Sequence, residues 1–313
     1  MKQPPYHMRQ NKAVDRLMFI EVIKRLDKIG SLSEYTYYGL GGPYLEEFRL
    51  LYEFFPDIEM VSIEKNAEIV KRADFHMPCG KLRLEYADSR DFLIHYDPKD
   101  KKSIFWLDYT NLSMHTFEDF QTLLPKVTAN SIIKLTLRAE PRDYKNEDDR
   151  ISFRRKFEAF MPDSIVYPPV EFEKLAALLQ EMLQIASQQI LPAINELVFQ
   201  PMASFYYTDG DGMFTLTGIV CERNQWDNIR NHFGDLPFSN FNWNKPKSID
   251  LPYLSTKERL YLERHLPFNG DPGEGLLNIL GYSIDEDRSK SIAKFRQYAD
   301  FHRYFPYFIK AIP

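Results

Sequence analysis

From residue 35 to residue 138, short apolar runs alternate with amphipathic ones, and no other feature restricts the fold of this chain as strongly. "EYTYYG" reads as a first strand, "PYLEEFRLLYEFF" as a helix with Pro43 in its first turn, and "IEMVSIEKN" as a buried strand ending at Glu64. "AEIVKRADFH" reads as the next helix. "KLRLEYADS", "SIFWLDYTN" and "SIIKLTLRA" supply three further strands, with the helical stretch "TFEDFQTLLPKV" between the last two. Strands separated by helices return to the same edge and pair in parallel, so a parallel sheet covered on both faces is predicted. Ahead of it, "DRLMFIEVIKRLDKIG" spaces Leu17, Ile20, Ile23 and Leu26 as one face of a helix that ends on Gly30.

After residue 139 the rhythm changes. Residues 140–170 are charged with little periodicity and read as a long loop, a kind that often serves function. "EFEKLAALLQEMLQIASQQI" then gives a long helix. "ASFYYTDGDGMFTLTGIVCE" carries two alternating runs joined by Asp-Gly-Asp-Gly, which predicts a hairpin. Further on, "FSNFNWNKPKSIDLPYL" is rich in Asn, Pro and aromatics. A helix opened by the capping box from Ser255 to Glu258 follows, and then an aromatic helix in "SIAKFRQYADFHRYF". The expected domains are residues 1–225, an α/β domain with the N-terminal helix and the 140–170 loop insertion, and 226–313, a C-terminal helical appendage.

The junction "YYGLGGPYLEEFRLL", residues 37–51, puts three glycines in four positions between a strand and a helix. Such a turn can bring bare backbone or N–H groups to a ligand. A phosphate loop requires Lys-Ser or Lys-Thr at its end, where Pro43 and Tyr44 stand instead. The dinucleotide fingerprint starts correctly at Gly39 and Gly41 but meets Tyr44 where its third glycine belongs. S-adenosylmethionine (SAM), which has no pyrophosphate, needs only a G-x-G turn. A Gly-rich loop without a ligand also stays open at this point.

The two cysteines, Cys79 and Cys221, offer neither a disulfide framework nor ligand spacing, so a cytoplasmic location and no metal are expected. No run approaches the roughly 20 apolar residues of a membrane span. A net charge of −5 opposes wholesale coating of nucleic acid. Seven Lys or Arg against three acids in residues 1–30, and Lys99, Lys101 and Lys102 together, leave local basic faces and hence a nucleic-acid partner open.

With these elements in place, residues 35–222 resemble a class I SAM-dependent methyltransferase of the O-methyltransferase type. The resemblance implies a Rossmann-like methyltransferase fold, a mostly parallel sheet ending in an antiparallel hairpin. It also implies that Gly39, Gly41 and Gly42 lie under the methionyl part of SAM, that Glu64 receives the ribose hydroxyls, and that Asp88, with Ser89 beside it in "YADSRDF", faces the adenine. The family commonly carries an acid just before its glycines, and here Tyr37 and Tyr38 stand there, so Glu34 or Asp108 is expected to hold the cofactor's ammonium.

Asp108 ends the fourth strand at the edge where open α/β sheets hold ligands, and is the first catalytic candidate. Amino-methylating DNA enzymes carry Asp-Pro-Pro-Tyr there. Asp108, Tyr109, Thr110 and Asn111 lack the prolines, which points to an oxygen acceptor. Lys134 lies inside the apolar run "SIIKLTLRA": burial would depress its pKa and suit it to accept a proton, or it snorkels from a strand edge. Asp108 and Lys134 resemble the core of the Lys-Asp-Lys-Glu set of ribose 2'-O-methyltransferases, with Lys24 as the first lysine and no matching glutamate on the last hairpin strand. An RNA ribose hydroxyl is therefore one candidate acceptor. His76, His95 and His115 read as structural. The alternatives are a non-catalytic methyltransferase-like subunit that binds SAM and a protein partner, and an NAD-dependent oxidoreductase, which Tyr44 and the hairpin oppose.

Overall fold

The computed structural model describes residues 9–191, 196–234 and 236–306. Helix α1 (Gln10–Lys24) tightens into a 3-10 turn at Arg25–Lys28. The alternating core follows as β1 (Tyr35–Gly39), α2 (Glu46–Phe54), β2 (Glu59–Glu64), α3 (Ala67–Phe75), β3 (Leu82–Tyr86), α4 (Ser89–His95), β4 (Lys102–Asp108), α5 (Met114–Leu123) and β5 (Ser131–Arg138). After α6 (Glu147–Lys156) and α7 (Phe172–Ile190), the hairpin β6 (Leu197–Thr208) and β7 (Gly212–Glu222) completes the alternating part. The strands lie in the order β3-β2-β1-β4-β5-β7-β6-β8, where β8 is Lys247–Ile249. Strands β1 to β5 pair in parallel, and β7 runs antiparallel to β5. The chain reverses direction across the sheet between β1 and β4, which opens a crevice at their carboxyl ends.

Strand β5 is buried from Ser131 through Leu137, as a strand covered on both faces must be. On one face Phe105, Leu107, Leu135 and Leu137 pack with Phe117 and Phe120 of α5 and Leu179 and Leu183 of α7. On the other, Phe19 of α1 meets Trp106 edge-on with ring centroids 5.4 Å apart, and Phe48 of α2 meets Tyr37 at the same distance.

The described chain forms two compact units. One comprises residues 19–206 and 211–247; the other comprises residues up to 18, 207–210 and from 248 onward. In the second unit, the Asp209 carboxylate accepts from the Lys12 and Asn11 backbone N–H groups (2.8 and 3.4 Å), and Gln10 Nε2 donates to the Leu251 carbonyl (2.9 Å). Its helices are α9 (Thr256–Glu263), α10 (Pro272–Leu280) and α11 (Arg288–Phe301); α8 (Trp226–Phe233) belongs to the first unit. The expected capping box is formed: Ser255 Oγ accepts from Glu258 N (3.2 Å), and Glu258 Oε2 accepts from Ser255 N (2.7 Å). Among the described residues no helix is long and apolar enough to cross a membrane.

Three local expectations are corrected. The segment 140–170 is not one long loop: it holds α6, flanked by 3-10 turns at Pro141–Tyr144 and Glu158–Phe160. Only Phe153 of α6 is buried, too narrow a stripe to register as periodicity, while Glu147, Asp148 and Asp149 at its start and Arg154, Arg155 and Lys156 at its end complement the helix dipole. Pro43 is not in the first turn of α2, which begins at Glu46 behind a turn. There Leu45 sits in the left-handed region (φ 51°), a conformation costing about 1–2 kcal/mol for an L-residue and held by complete burial of its side chain. The run "KLRLEYADS" is strand only to Tyr86, and Ser89–His95 forms α4, while the region after 226 is helical as expected, with "KSI" pairing at the sheet edge as β8.

Candidate active site

Gly39 ends β1 in register with Ser62 of β2 and Trp106 of β4. The three glycines of the turn are required for different reasons. A Cβ at Gly39 would collide with Glu47 Oε1, and one at Gly41 would lie 2.5 Å from both Ser62 Oγ and the Phe48 ring. At Gly42 a Cβ would meet nothing, but φ is +57°, a conformation that favours glycine. The Tyr37 hydroxyl donates to Glu47 Oε1 (3.0 Å), and both residues are buried. Ser62 Oγ is buried beside Gly41 and has no hydrogen-bond partner among the described residues, an arrangement that costs free energy until something supplies one.

Glu64 ends β2, where its Oε1 accepts from Asn66 N (2.8 Å) while Asn66 caps α3. A carboxylate with one such bond retains acceptor capacity on both oxygens. Asp88 is the N-cap of α4. Its Oδ1 accepts from Arg90 N (3.0 Å) and its Oδ2 pairs with Lys65 Nζ (3.1 Å); the Arg90 N–H, followed by Lys65, lowers its pKa. A cavity of about 400 Å³ opens here, lined by Asp88 and Ser89 together with Lys65, Tyr109, Asn111 and His115. Tyr109 donates to Asp119 Oδ2 (2.8 Å). Burial raises both groups' pKa values, and the Asp119 charge raises that of Tyr109 further. His115 Nδ1 (2.9 Å) and Arg90 Nη2 (2.8 Å) converge on Glu118 Oε2, and His115 is the leading cause of the lowered Glu118 pKa. The histidine set aside as structural therefore lines the cavity.

Asp108 is the last residue of β4 and is half-buried, in register with Thr136. Lys134 is in register with Trp106, and the alternation along each strand puts both side chains on the same face as Asp108. The snorkelling reading of Lys134 is overturned. It is 1% exposed, with its Nζ 4.9 Å from the Trp106 ring centroid and 5.2 Å from that of Phe19, because β5 is an interior strand with α1 packed over it. Glu34 is also misplaced as an ammonium anchor. It precedes β1 and pairs with Lys102 (2.7 Å), the first residue of β4, so it belongs to the amino edge of the sheet, opposite the glycine turn. Lys24 is exposed, pairing with Glu21 (2.7 Å) and covering the Phe54 ring, and is not brought beside Lys134.

Of the expected residues, Asp88 and Ser89 share the cavity; Glu64 and Asp108 immediately precede its lining residues Lys65 and Tyr109, and the glycines and Lys134 lie outside the lining. Sequence reasoning missed Glu47, Ser62 and the Tyr109–Asp119 pair. Glu46 and Glu47 look alike in the sequence, as acids complementing a helix dipole, and only burial separates them.

A family model described as "Putative O-methyltransferase" matches residues 4–313. Among solved structures, Trm1 from Pyrococcus horikoshii, in complex with S-adenosyl-L-methionine, is 11% identical over 70% of this chain and 58% of that one, with a TM-score of 0.47. The O-methyltransferase TomG from Streptomyces achromogenes, in complex with SAM, is 13% identical over 65% of this chain and 78% of that one (TM-score 0.37). LepI, in complex with SAH and a substrate analogue, is 13% identical over 59% of this chain, with a TM-score of 0.36; the match spans only 43% of LepI. No curated protein matches the chain. The family match begins before α1 and runs past α11, so the whole described fold lies within it, and the chain belongs to that O-methyltransferase family.

Proposed function

We propose that this methyltransferase uses S-adenosylmethionine to methylate a hydroxyl oxygen. The observation that carries the cofactor reading is the buried, unpartnered Ser62 hydroxyl set against Gly41, in a turn whose glycines leave backbone bare at the carboxyl edge of the sheet. A polar ligand at the turn would satisfy that hydroxyl, so the residues present fit the cofactor. Gly39, Gly41 and Gly42 would lie under its methionyl end, Glu64 would accept from the ribose hydroxyls, and Asp88 and Ser89 would meet the adenine in the cavity beside them.

Bound SAM supplies a methyl group activated by its sulfonium for in-line displacement. The protein's main contribution is alignment of the acceptor oxygen with that methyl. Asp108, at the end of β4, takes the acceptor's proton, and the Lys134 ammonium, on the same face, assists. The absence of prolines after Asp108 favours oxygen over a base nitrogen, and an RNA ribose hydroxyl stays among the candidate acceptors. Residues 226–313, the proposed appendage to a 1–225 methyltransferase domain, would bind a protein partner in the non-catalytic alternative. Cytoplasmic residence, read from the two cysteines, is part of the same proposal.

The test is calorimetry with S-adenosylhomocysteine (SAH) and NAD, followed by transfer of labelled methyl from SAM into RNA, protein and small-molecule fractions of a cell extract. SAH should bind and raise the Tm, and one fraction should be labelled. Binding of NAD without SAH would overturn the cofactor reading. Binding of SAH with no fraction labelled would favour the non-catalytic subunit.

A further inference from the structure

The cavity of about 400 Å³ at the ends of β3 and β4 has two acids in its wall, Asp88 and Asp119, and their surroundings differ. Each oxygen of Asp88 already has a donor, Arg90 N on Oδ1 and the Lys65 ammonium on Oδ2, and its side chain is 39% exposed. Asp119, on α5, is 3% exposed. The Tyr109 hydroxyl donates to its Oδ2 at 2.8 Å, and its Oδ1 receives no donor among the described residues. A buried carboxylate oxygen left without a donor costs free energy. Because Asp119 lines the cavity, a ligand bound there can supply what is missing.

The alternation of side chains explains why this acid, and not the one that ends β4, faces the cavity. Asp108 and Tyr109 are consecutive, so their side chains leave opposite faces of the sheet. Asp108 leaves on the face of Trp106 and Lys134, where Phe19 of α1 packs. Tyr109 leaves on the face covered by α5, where its hydroxyl meets Asp119. Glu118, next to Asp119 in sequence, is taken by His115 and Arg90 and lies outside the wall.

We infer that Asp119, held in place by Tyr109, receives the exocyclic amino group of the cofactor's adenine; the inference rests on the cofactor reading above. Asp88 and Ser89 then border the base, and the buried acid of α5 reads it. An N–H donated to a carboxylate is a charge-assisted bond, and a buried acceptor penalises a base that lacks the donor.

The probes are SAH and its analogue carrying hydrogen in place of the 6-amino group, compared by calorimetry. Wild type should prefer SAH by about tenfold or more. Asp119→Ala should bring that preference to within about threefold, while the analogue binds within about threefold of its wild-type affinity. Asp119→Asn, nearly isosteric, replaces an ionised acceptor with a neutral one and should also lower the preference. Asp88→Asn keeps a side chain able to cap α4 and, whatever its effect on both probes, should leave their ratio intact. A residue that only supports the fold would weaken both probes together. An unchanged ratio in folded Asp119→Ala therefore overturns the assignment, as does loss of the preference in Asp88→Asn. If neither Asp119 variant folds, wild type and Asp88→Asn decide: equal affinity for the two probes in either protein overturns the inference, and a preference kept in both sustains it. Wild type that binds neither probe refutes the cofactor reading itself, whereas SAH binding with a ratio indifferent to Asp119 refutes only the role of Asp119.

Discussion

Replacing Glu140 by glutamine tests how the hairpin is fastened to the parallel part of the sheet. Glu140 follows β5 and is 5% exposed; its carboxylate accepts from Arg142 Nε and Nη2 (both 2.7 Å), from Arg142 N (3.1 Å) and from Gly212 N (3.1 Å), the first residue of β7. The Arg142 guanidinium and these N–H groups hold its pKa at about 2, against an ordinary 4.5. At about 1.4 kcal/mol per tenfold that drop corresponds to about 3 kcal/mol, an upper figure because the Arg142 side chain is 62% exposed and water screens it. An expected loss of about 2 kcal/mol at pH 7 lowers the Tm of a unit this size by about 4–8 °C. The folded-state pKa lies below the unfolded one. The contribution is therefore complete above about pH 4.5 and fades as pH falls through about 2, below which wild type carries a neutral carboxyl and the two proteins converge. Urea unfolding of both at pH 7, 5 and 3 measures the gap. Equal stability at pH 7, or a gap that does not narrow on acidification, refutes the assignment of this stability to an ionised Glu140.

Glu64→Ala should weaken SAH by about 1.5–3 kcal/mol with the fold intact; unchanged affinity by calorimetry would make Glu64 a surface acid. Gly41→Ala places a methyl 2.5 Å from Ser62 Oγ and the Phe48 ring and should cost about 1–3 kcal/mol, whereas Gly42→Ala meets no atom and should cost only about 1 kcal/mol of left-handed backbone strain. A Gly41→Ala protein that melts with wild type would mean the turn repacks freely. Asp108→Ala should keep SAH affinity within about threefold yet abolish methyl transfer, and Lys134→Met should follow if its ammonium assists. Transfer at the wild-type rate would remove either residue from the chemistry.

Much of the candidate site was legible because it depends on position along the chain. Glycines closing β1, an acid closing β2 and an acid following β3 can each be located once the alternation is read, since parallel strands bring their carboxyl ends to one edge; that the last of them caps α4 was not read from the sequence. Glu47 was not legible. It lies next to Glu46 in a helix start where acids are ordinary, and its difference lies entirely in what it packs against. His115 and Lys134 were ambiguous for the same reason: a lone histidine after a strand or a lone lysine within one has no local signature for a cavity wall or for burial under two aromatic rings.

By itself the sequence determined the five alternating strands with α2, α3 and α5 between them, the parallel pairing implied by the crossovers and the antiparallel finish, because hydrophobic period and turn chemistry are local properties that survive without tertiary contacts. The amino half of α1, residues 207–210 and the segment from 248 onward are distant in sequence, yet the fold groups them in one compact unit. Tertiary structure alone decided that grouping, the helix within 140–170, the opposite edge for Glu34 and the burial of Glu47, Ser62 and Lys134. Each depends on which surface a helix or strand is pressed against, and that follows from packing between residues far apart in the chain rather than from their neighbours in it.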